Sequence, residues 1–234
     1  MSGKLKAALQ AVDWNKNSAF LCDDDAVSRR IENCNMRLAI WGRQLESIEA
    51  GTASLSFVRE MQHAGHHAAC CIALALYKPA AGAMRSALEC ALYHAYFRTH
   101  PSELSTLVRD DKYYVSKREI LGFLNNHQFR FDELQKKLDL TGRLEKWYSK
   151  TSAVIHGQIP GVWSNGIQVS EFVHDKKIVE EVVKHFEEGT LIIQDLFLCS
   201  LAQEMWQNFS TTAKKFITAG MSGERKTTLK IDSA

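Results

Sequence analysis

The 234-residue chain is nearly neutral, with 29 Lys and Arg against 27 Asp and Glu, a net charge of +2 at pH 7. That balance excludes a global basic field for nucleic acid and leaves only local patches, while 45% hydrophobic residues suffice for a substantial core. No run approaches the roughly 20 apolar residues of a membrane-spanning helix, so no membrane association is expected.

The N-terminal MSGKLKAALQAVDW is weakly amphipathic over 3–13 and lacks the long apolar run of a signal peptide. Asp23, Asp24 and Asp25 are N-cap candidates for a long helix over 26–49. Its Val27, Ile31, Cys34, Leu38, Trp41, Leu45 and Ile48 are spaced alternately by four and three, an a/d seam. Arg30, Glu32, Arg37 and Arg43 lie on the opposite face. The seam packs either on the chain's own helices or on a second copy. Gly51 supplies a stop.

The next helix spans 54–76 and ends before Lys78-Pro79, because the residue before a proline avoids the helical region. Pro79 fits the first turn of a third helix, PAAGAMRSALECALYHAYFRTH, over 79–99. Its many alanines permit close helix approach. Shorter helices are expected over 102–108, from the capping box Ser116-Lys-Arg-Glu119 to Asn126, and over 132–138. A further helix begins after Thr141-Gly142 and ends at Gly157. Between 157 and 174, turn residues surround an alternating stretch, Gly166–Val173, which reads as irregular or as a short strand paired with Val162-Trp163. Asp175 to Thr218 keeps a helical period throughout and reads as one very long helix, with Gly189 as a bend. Beyond residue 220 the period is lost. The expected architecture is therefore all-α. A single multi-helix bundle over 1–219 carries a short irregular or β-like insert, followed by a flexible tail over 220–234.

The six cysteines include no Cys-x-x-Cys pair, and Cys70-Cys71 falls in an apolar run, so reduced thiols in the core of a cytoplasmic protein are expected. Glu60, His63 and His67 recur at helical spacing that suits metal ligation, but the run also suits a half-exposed helix with several histidines, and no metal or other cofactor is assigned. Lys112, Tyr113, Tyr114, Lys117 and Arg118 form a basic and aromatic patch of the kind that stacks bases, or else a solvated loop. Lys214, Lys215, Arg225, Lys226 and Lys230 make the C-terminal end basic, suited to weak contact with RNA or an acidic partner.

Two polar faces interrupt otherwise apolar helices. Arg85 and Glu89 lie four residues apart on the alanine-rich helix, and Tyr148, Ser152 and His156 are stacked at four-residue steps on a later one. A charged pair on an apolar helix persists when paired and hydrogen-bonded, so Arg85–Glu89 is either an internal salt bridge or half of a pocket completed by His156. A histidine near its ordinary pKa of about 6.5 suits general acid–base work.

The pattern Met-Arg-x-x-x-Glu, then Tyr-x-x-x-Ser-x-x-x-His-Gly at the end of a later helix, stands here as Met84, Arg85, Glu89, Tyr148, Ser152, His156 and Gly157. In this pattern and its helix order, over roughly 26–200, the chain resembles the HEPN-like helical proteins of prokaryotic defence and toxin systems. The resemblance implies a helical bundle that often dimerises. It also implies RNA as the partner and, in many members, metal-independent endoribonuclease activity. There a His and an Arg four to six residues before it promote attack of a ribose 2′-hydroxyl on the adjacent phosphate. This chain departs from that spacing: Lys150 precedes His156 with five residues between, Arg143 is too far back in sequence, and either Arg85 supplies the guanidinium from a neighbouring helix or the site is not a nuclease. On this reading His156 is the general acid–base, Arg85 and Lys150 are phosphate ligands, and Glu89, Tyr148 and Ser152 orient them. The alternative is a non-catalytic helical subunit of a defence complex, bound to a protein partner, in which the Arg85, Glu89 and His156 cluster is structural. A third reading is a small-ligand or nucleotide site within the bundle.

Overall fold

Helices begin where the sequence places a short acidic or hydroxyl side chain. Asp13, Asp24, Ser116, Asp175, Ser210 and Ser222 each accept a hydrogen bond from a backbone N–H in the first turn of the helix that follows. The computed structural model describes residues 3–164, 166 and 168–231. In chain order the helices are α1 (Gly3–Gln10), α2 (Trp14–Ser18), α3 (Phe20–Asp23), α4 (Asp25–Ile48), α5 (Leu55–Ala73), α6 (Tyr77–Phe97) and α7 (Pro101–Arg109). There follow α8 (Lys117–His127), α9 (Phe131–Lys137), α10 (Leu140–Ile155), α11 (Lys176–Ser200), α12 (Ala202–Met205), α13 (Thr211–Ile217) and α14 (Gly223–Leu229). The fold is all-α, and no strand occurs among the described residues.

The alanine-rich α6 is the central element. It packs most extensively on α5 and also contacts α10, α11 and α8. Ala80, Ala81, Ala87, Ala91 and Ala95 are all buried on it, which is why neighbours can approach on several sides. The a/d seam of α4 is consumed within the chain: Val27, Ile31, Cys34, Leu38, Trp41 and Leu45 are buried, and α4 packs on α5 and α11. Trp41 lies against Phe197 and Phe209, with ring centroids 5.2 and 5.3 Å away. Burial of each such aromatic or aliphatic side chain is worth about 1.5–3 kcal/mol, so this seam is a major source of stability.

Several boundaries differ from the sequence expectation for physical reasons. The break between α5 and α6 sits at Leu74–Leu76, where Ala75 adopts a left-handed φ of 59°, and Pro79 falls inside the first turn of α6. The single long helix expected from Asp175 to Thr218 is broken after Ser200. A short α12, a 3-10 turn at Trp206–Asn208 and the capped α13 replace its second half. The apolar period continues through the break because Leu201, Met205, Trp206 and Phe209 still face the core. The helix α11 runs through Gly189 without interruption. This glycine lies against Trp147, where an added Cβ would come within 2.6 Å of the indole.

The strand read into Gly166–Val173 is a correction: Val169–Glu171 form a 3-10 turn and Val162-Trp163 lie in a turn, with Asn165 and Ile167 outside the described residues. Of the flexible tail expected over 220–234, Gly223–Leu229 form α14, and residues 232–234 lie outside the described residues. Leu229 and Ile231 are buried, and the Arg225 guanidinium bonds to Asp195 of α11. Cys70 is exposed and Cys71 half-buried, so that pair is not core. All six cysteines are free thiols. No helix among the described residues is long and apolar enough to cross a membrane.

Candidate functional site

The helical phase of α6 and α10 brings the two polar faces together. Arg85 Nε donates to Glu89 Oε1 at 2.9 Å along α6, and Arg85 Nη1 reaches Ser152 Oγ on α10 at 3.4 Å. Tyr148 of α10 donates its hydroxyl to the same Glu89 Oε1 at 2.6 Å. The Arg85 guanidinium also lies 4.6 Å from the centre of the Tyr148 ring. Four of the six site residues expected from the sequence thus form one hydrogen-bonded cluster across two helices.

A third helix closes this cluster. Lys117, at the capped start of α8, places Nζ 4.4 Å from the Tyr148 ring centre and pairs with Glu145 one turn before Tyr148's neighbour on α10. Between α6, α8 and α10 lies a cavity of about 280 Å³, walled by Arg85, Glu89, Tyr93, Tyr114, Lys117 and Tyr148. Two residues of the basic and aromatic patch, Tyr114 and Lys117, therefore form part of a cavity wall. Tyr113 turns away instead and donates to Glu103 Oε2 at 2.8 Å. The sequence signal for Lys117 and Tyr114 was present in that patch, but nothing local connected it to Arg85. Tyr93 carried no signal of its own.

Glu89 shifts both of its partners, Tyr148 and Arg85. Burial, and then the hydrogen bond and charge of Glu89, push the Tyr148 hydroxyl up to about 12, so it remains a donor at neutral pH. For Arg85, burial acts to lower the pKa, but the hydrogen bond and charge of Glu89 outweigh it and the net shift is upward. The cavity therefore offers cations, a carboxylate and an aromatic wall, with Arg85 countered by Glu89 and Lys117 by Glu145.

The other two expected residues lie apart. Lys150 follows Tyr148 by two residues, about 200° around the helix. It is exposed, and its Nζ is 5.9 Å from the Trp163 ring centre. His156 caps the C-terminus of α10, one turn beyond Ser152 on the same face, where Gly157 takes the left-handed φ of 67° that ends the helix. Its imidazole is exposed and makes no hydrogen bond among the described residues. Glu60, His63, His66 and His67 are exposed along α5, and among the described residues no three His, Cys, Asp or Glu are grouped to hold a metal.

The far side of α10 carries a second network that sequence reasoning missed. His185 stacks on Trp147 with centroids 4.7 Å apart, and its Nε2 lies 2.7 Å from Thr151 Oγ1. Burial, helped by the Lys150 charge, pushes its pKa down to about 3. This neutral, sealed histidine fixes α10 on α11 rather than meeting solvent. No family model, curated protein or solved structure matches the chain.

Proposed function

We propose that this chain is a HEPN-like, RNA-acting protein of a prokaryotic defence or toxin system, with RNA lying along the face shared by α6 and α10. The observation that carries the reading is Arg85. It stands at a cavity edge and spans from Glu89 to Ser152, and its Ser152 contact, at 3.4 Å, is its longest. A phosphate oxygen is a stronger acceptor than a serine hydroxyl and would replace that contact at little cost. Tyr93, Tyr114 and Tyr148 then offer ring faces to a neighbouring base.

In the catalytic form of this proposal, His156 takes the proton of a ribose 2′-hydroxyl, whose oxygen attacks the adjacent phosphorus. The 5′-oxygen leaves with a proton returned by an acid, giving a 2′,3′-cyclic phosphate and a 5′-hydroxyl. Arg85 stabilises the charge that builds on the phosphoryl oxygens. Lys117 takes the place of Lys150 as the second cation within one chain, because Lys150 lies over Trp163.

The non-catalytic alternative is favoured by a different observation. Arg85 already has three internal partners in Glu89, Ser152 and the Tyr148 ring. The two readings separate in paired binding and cleavage assays on single-stranded RNA. The catalytic proposal predicts that His156→Ala lowers cleavage by about 10²-fold or more without weakening binding, and that Arg85→Gln weakens both. RNA binding without cleavage by the unmodified protein would favour the subunit reading. No RNA binding at all would sink the RNA assignment.

A further inference from the structure

Beside their apolar contact, α4 and α11 also join through charged side chains. Arg30 and Arg37 were expected on a solvent face of α4. Instead Arg30 pairs with Glu180 and Glu187 of α11, and Arg37 Nη1 donates to Thr190 Oγ1 at 2.9 Å. Deeper along α11, Asp195 is 1% exposed and takes Arg143 on one oxygen and Arg225 of α14 on the other. Three carboxylates, Glu180, Glu187 and Asp195, thus serve Arg30, Arg143 and Arg225. Arg37 is the guanidinium left without an ion pair among these groups, and its Nε is buried with no hydrogen-bond partner. Arg225 Nε is likewise buried and unpartnered. Burial lowers the Arg37 pKa, opposed only by the more distant charges around it.

Both arginines open onto one cavity of about 360 Å³, walled also by Leu191, Gln194, Phe216 and Met221. A desolvated guanidinium without a counter-charge is costly, and the cost is removed by an anion that brings its own acceptors. Two guanidiniums lining one cavity match the several oxygens of a phosphoryl group better than the two of a carboxylate. The cavity is larger than an inorganic ion needs and sits at the small end of ligand pockets, which run from roughly 300 to 1,000 Å³. Its remaining wall is mixed: Gln194 and Ser222 are polar, while Leu191, a large hydrophobic side chain left 37% exposed on α11, faces it together with Phe216 and Met221.

We propose that this cavity binds a small molecule carrying a phosphoryl group on an apolar or aromatic body, with Arg37 and Arg225 on the phosphoryl oxygens and Leu191, Phe216 and Met221 against the body. The site is separate from the Arg85 cluster and stands whether or not the chain acts on RNA.

Phenyl phosphate, inorganic phosphate and benzoate, titrated calorimetrically into the full chain, test it. Phenyl phosphate should bind saturably, more tightly than either of the other two. Arg37→Gln should weaken phenyl phosphate by about tenfold or more, the loss expected of a charge-assisted hydrogen bond, while the exposed Arg43→Gln should leave it unchanged. Leu191→Glu is the second variant. It places a carboxylate at the cavity wall beside Arg37 from an already exposed position, so it should abolish phenyl phosphate binding. Absence of saturable binding, benzoate binding as tight as phenyl phosphate, or binding unchanged in both Arg37→Gln and Leu191→Glu would each overturn the proposal.

Discussion

Gly189→Ala sets two opposed effects against each other. In an unconstrained helix interior the change would stabilise by about 0.8–1 kcal/mol through helix propensity. In α11 the new Cβ would meet Trp147 Cζ2 at 2.6 Å and Cε2 at 2.9 Å. Trp147 cannot swing aside: it is 2% exposed, its Nε1 donates to His185 O at 2.9 Å, and its ring is stacked on His185. Relief therefore requires α10 to move off α11 by several tenths of an ångström. Overpacking of this kind costs about 1–3 kcal/mol, and the rigidity of Trp147 places it at the upper end. The net expectation is destabilisation by about 2 kcal/mol, a fall in melting temperature of roughly 4–8 °C for a chain of this size. The shift of α10 also lengthens the Tyr148–Glu89 and Arg85–Ser152 contacts. Thermal denaturation followed by circular dichroism measures the first effect. A melting temperature equal to or above that of the unmodified protein would refute the packing argument, since propensity alone would then have decided the outcome.

Asp195→Ala leaves Arg143 and Arg225 without their shared carboxylate. Removing one member of such a buried network should cost about 3 kcal/mol, read from urea denaturation; a change below about 0.5 kcal/mol would show that the network is solvent-compensated. Acid should destabilise the fold in two stages. His185 stays neutral down to about 3 in the fold but binds a proton near 6.5 when unfolded, so the stability it contributes is complete above 6.5 and declines as pH falls towards 3. Glu49 is raised by burial but lowered more by His94 and Arg98, so its contribution is present above its ordinary value of 4.5 and is lost as pH falls below that. His185→Gln should flatten the stability profile between pH 6.5 and 3, and an unaltered slope there would contradict the assignment. Thiol labelling of the native protein should modify the exposed Cys22 and Cys70 quickly. It should spare Cys34 and Cys199, which are buried and whose pKa values burial raises to about 11 and about 12. Equal labelling of all four would contradict the burial of the α4 and α11 seams.

How far the fold could be read from the sequence follows from which forces are local. The α4 seam and the alanines of α6 announce themselves because burial imposes a 3.6-residue period on one face. The capping box at Ser116 formed with both of its hydrogen bonds. The break after Ser200 left no such mark, since the residues beyond it remain apolar and core-facing in a different backbone path. For the same reason the contact of Gly189 with Trp147 could not be foreseen: a glycine required by a tryptophan on another helix has no signature in its own neighbourhood.

The candidate site was half legible. Four-residue spacing put Arg85 with Glu89 and Tyr148 with Ser152, and packing of α10 on α6 joined the pairs. Lys150 stands at a suitable distance in sequence from His156, but helical phase turns it towards Trp163. Lys117 could not be placed, because its approach to Tyr148 depends on how α8 docks. The arginine cluster between α4 and α11 was hidden most completely. Its members come from residues 30 to 225, and only the assembled bundle shows that one of them lacks a counter-charge.

The central claim concerns the face shared by α6 and α10, and analysis of RNA ends tests it most directly. Purified protein incubated with single-stranded RNA in excess chelator should generate 2′,3′-cyclic phosphate and 5′-hydroxyl ends, and His156→Ala, with an unchanged melting temperature, should lose that activity. Intact RNA after incubation with the unmodified protein, or undiminished cleavage by the His156→Ala variant, would contradict it.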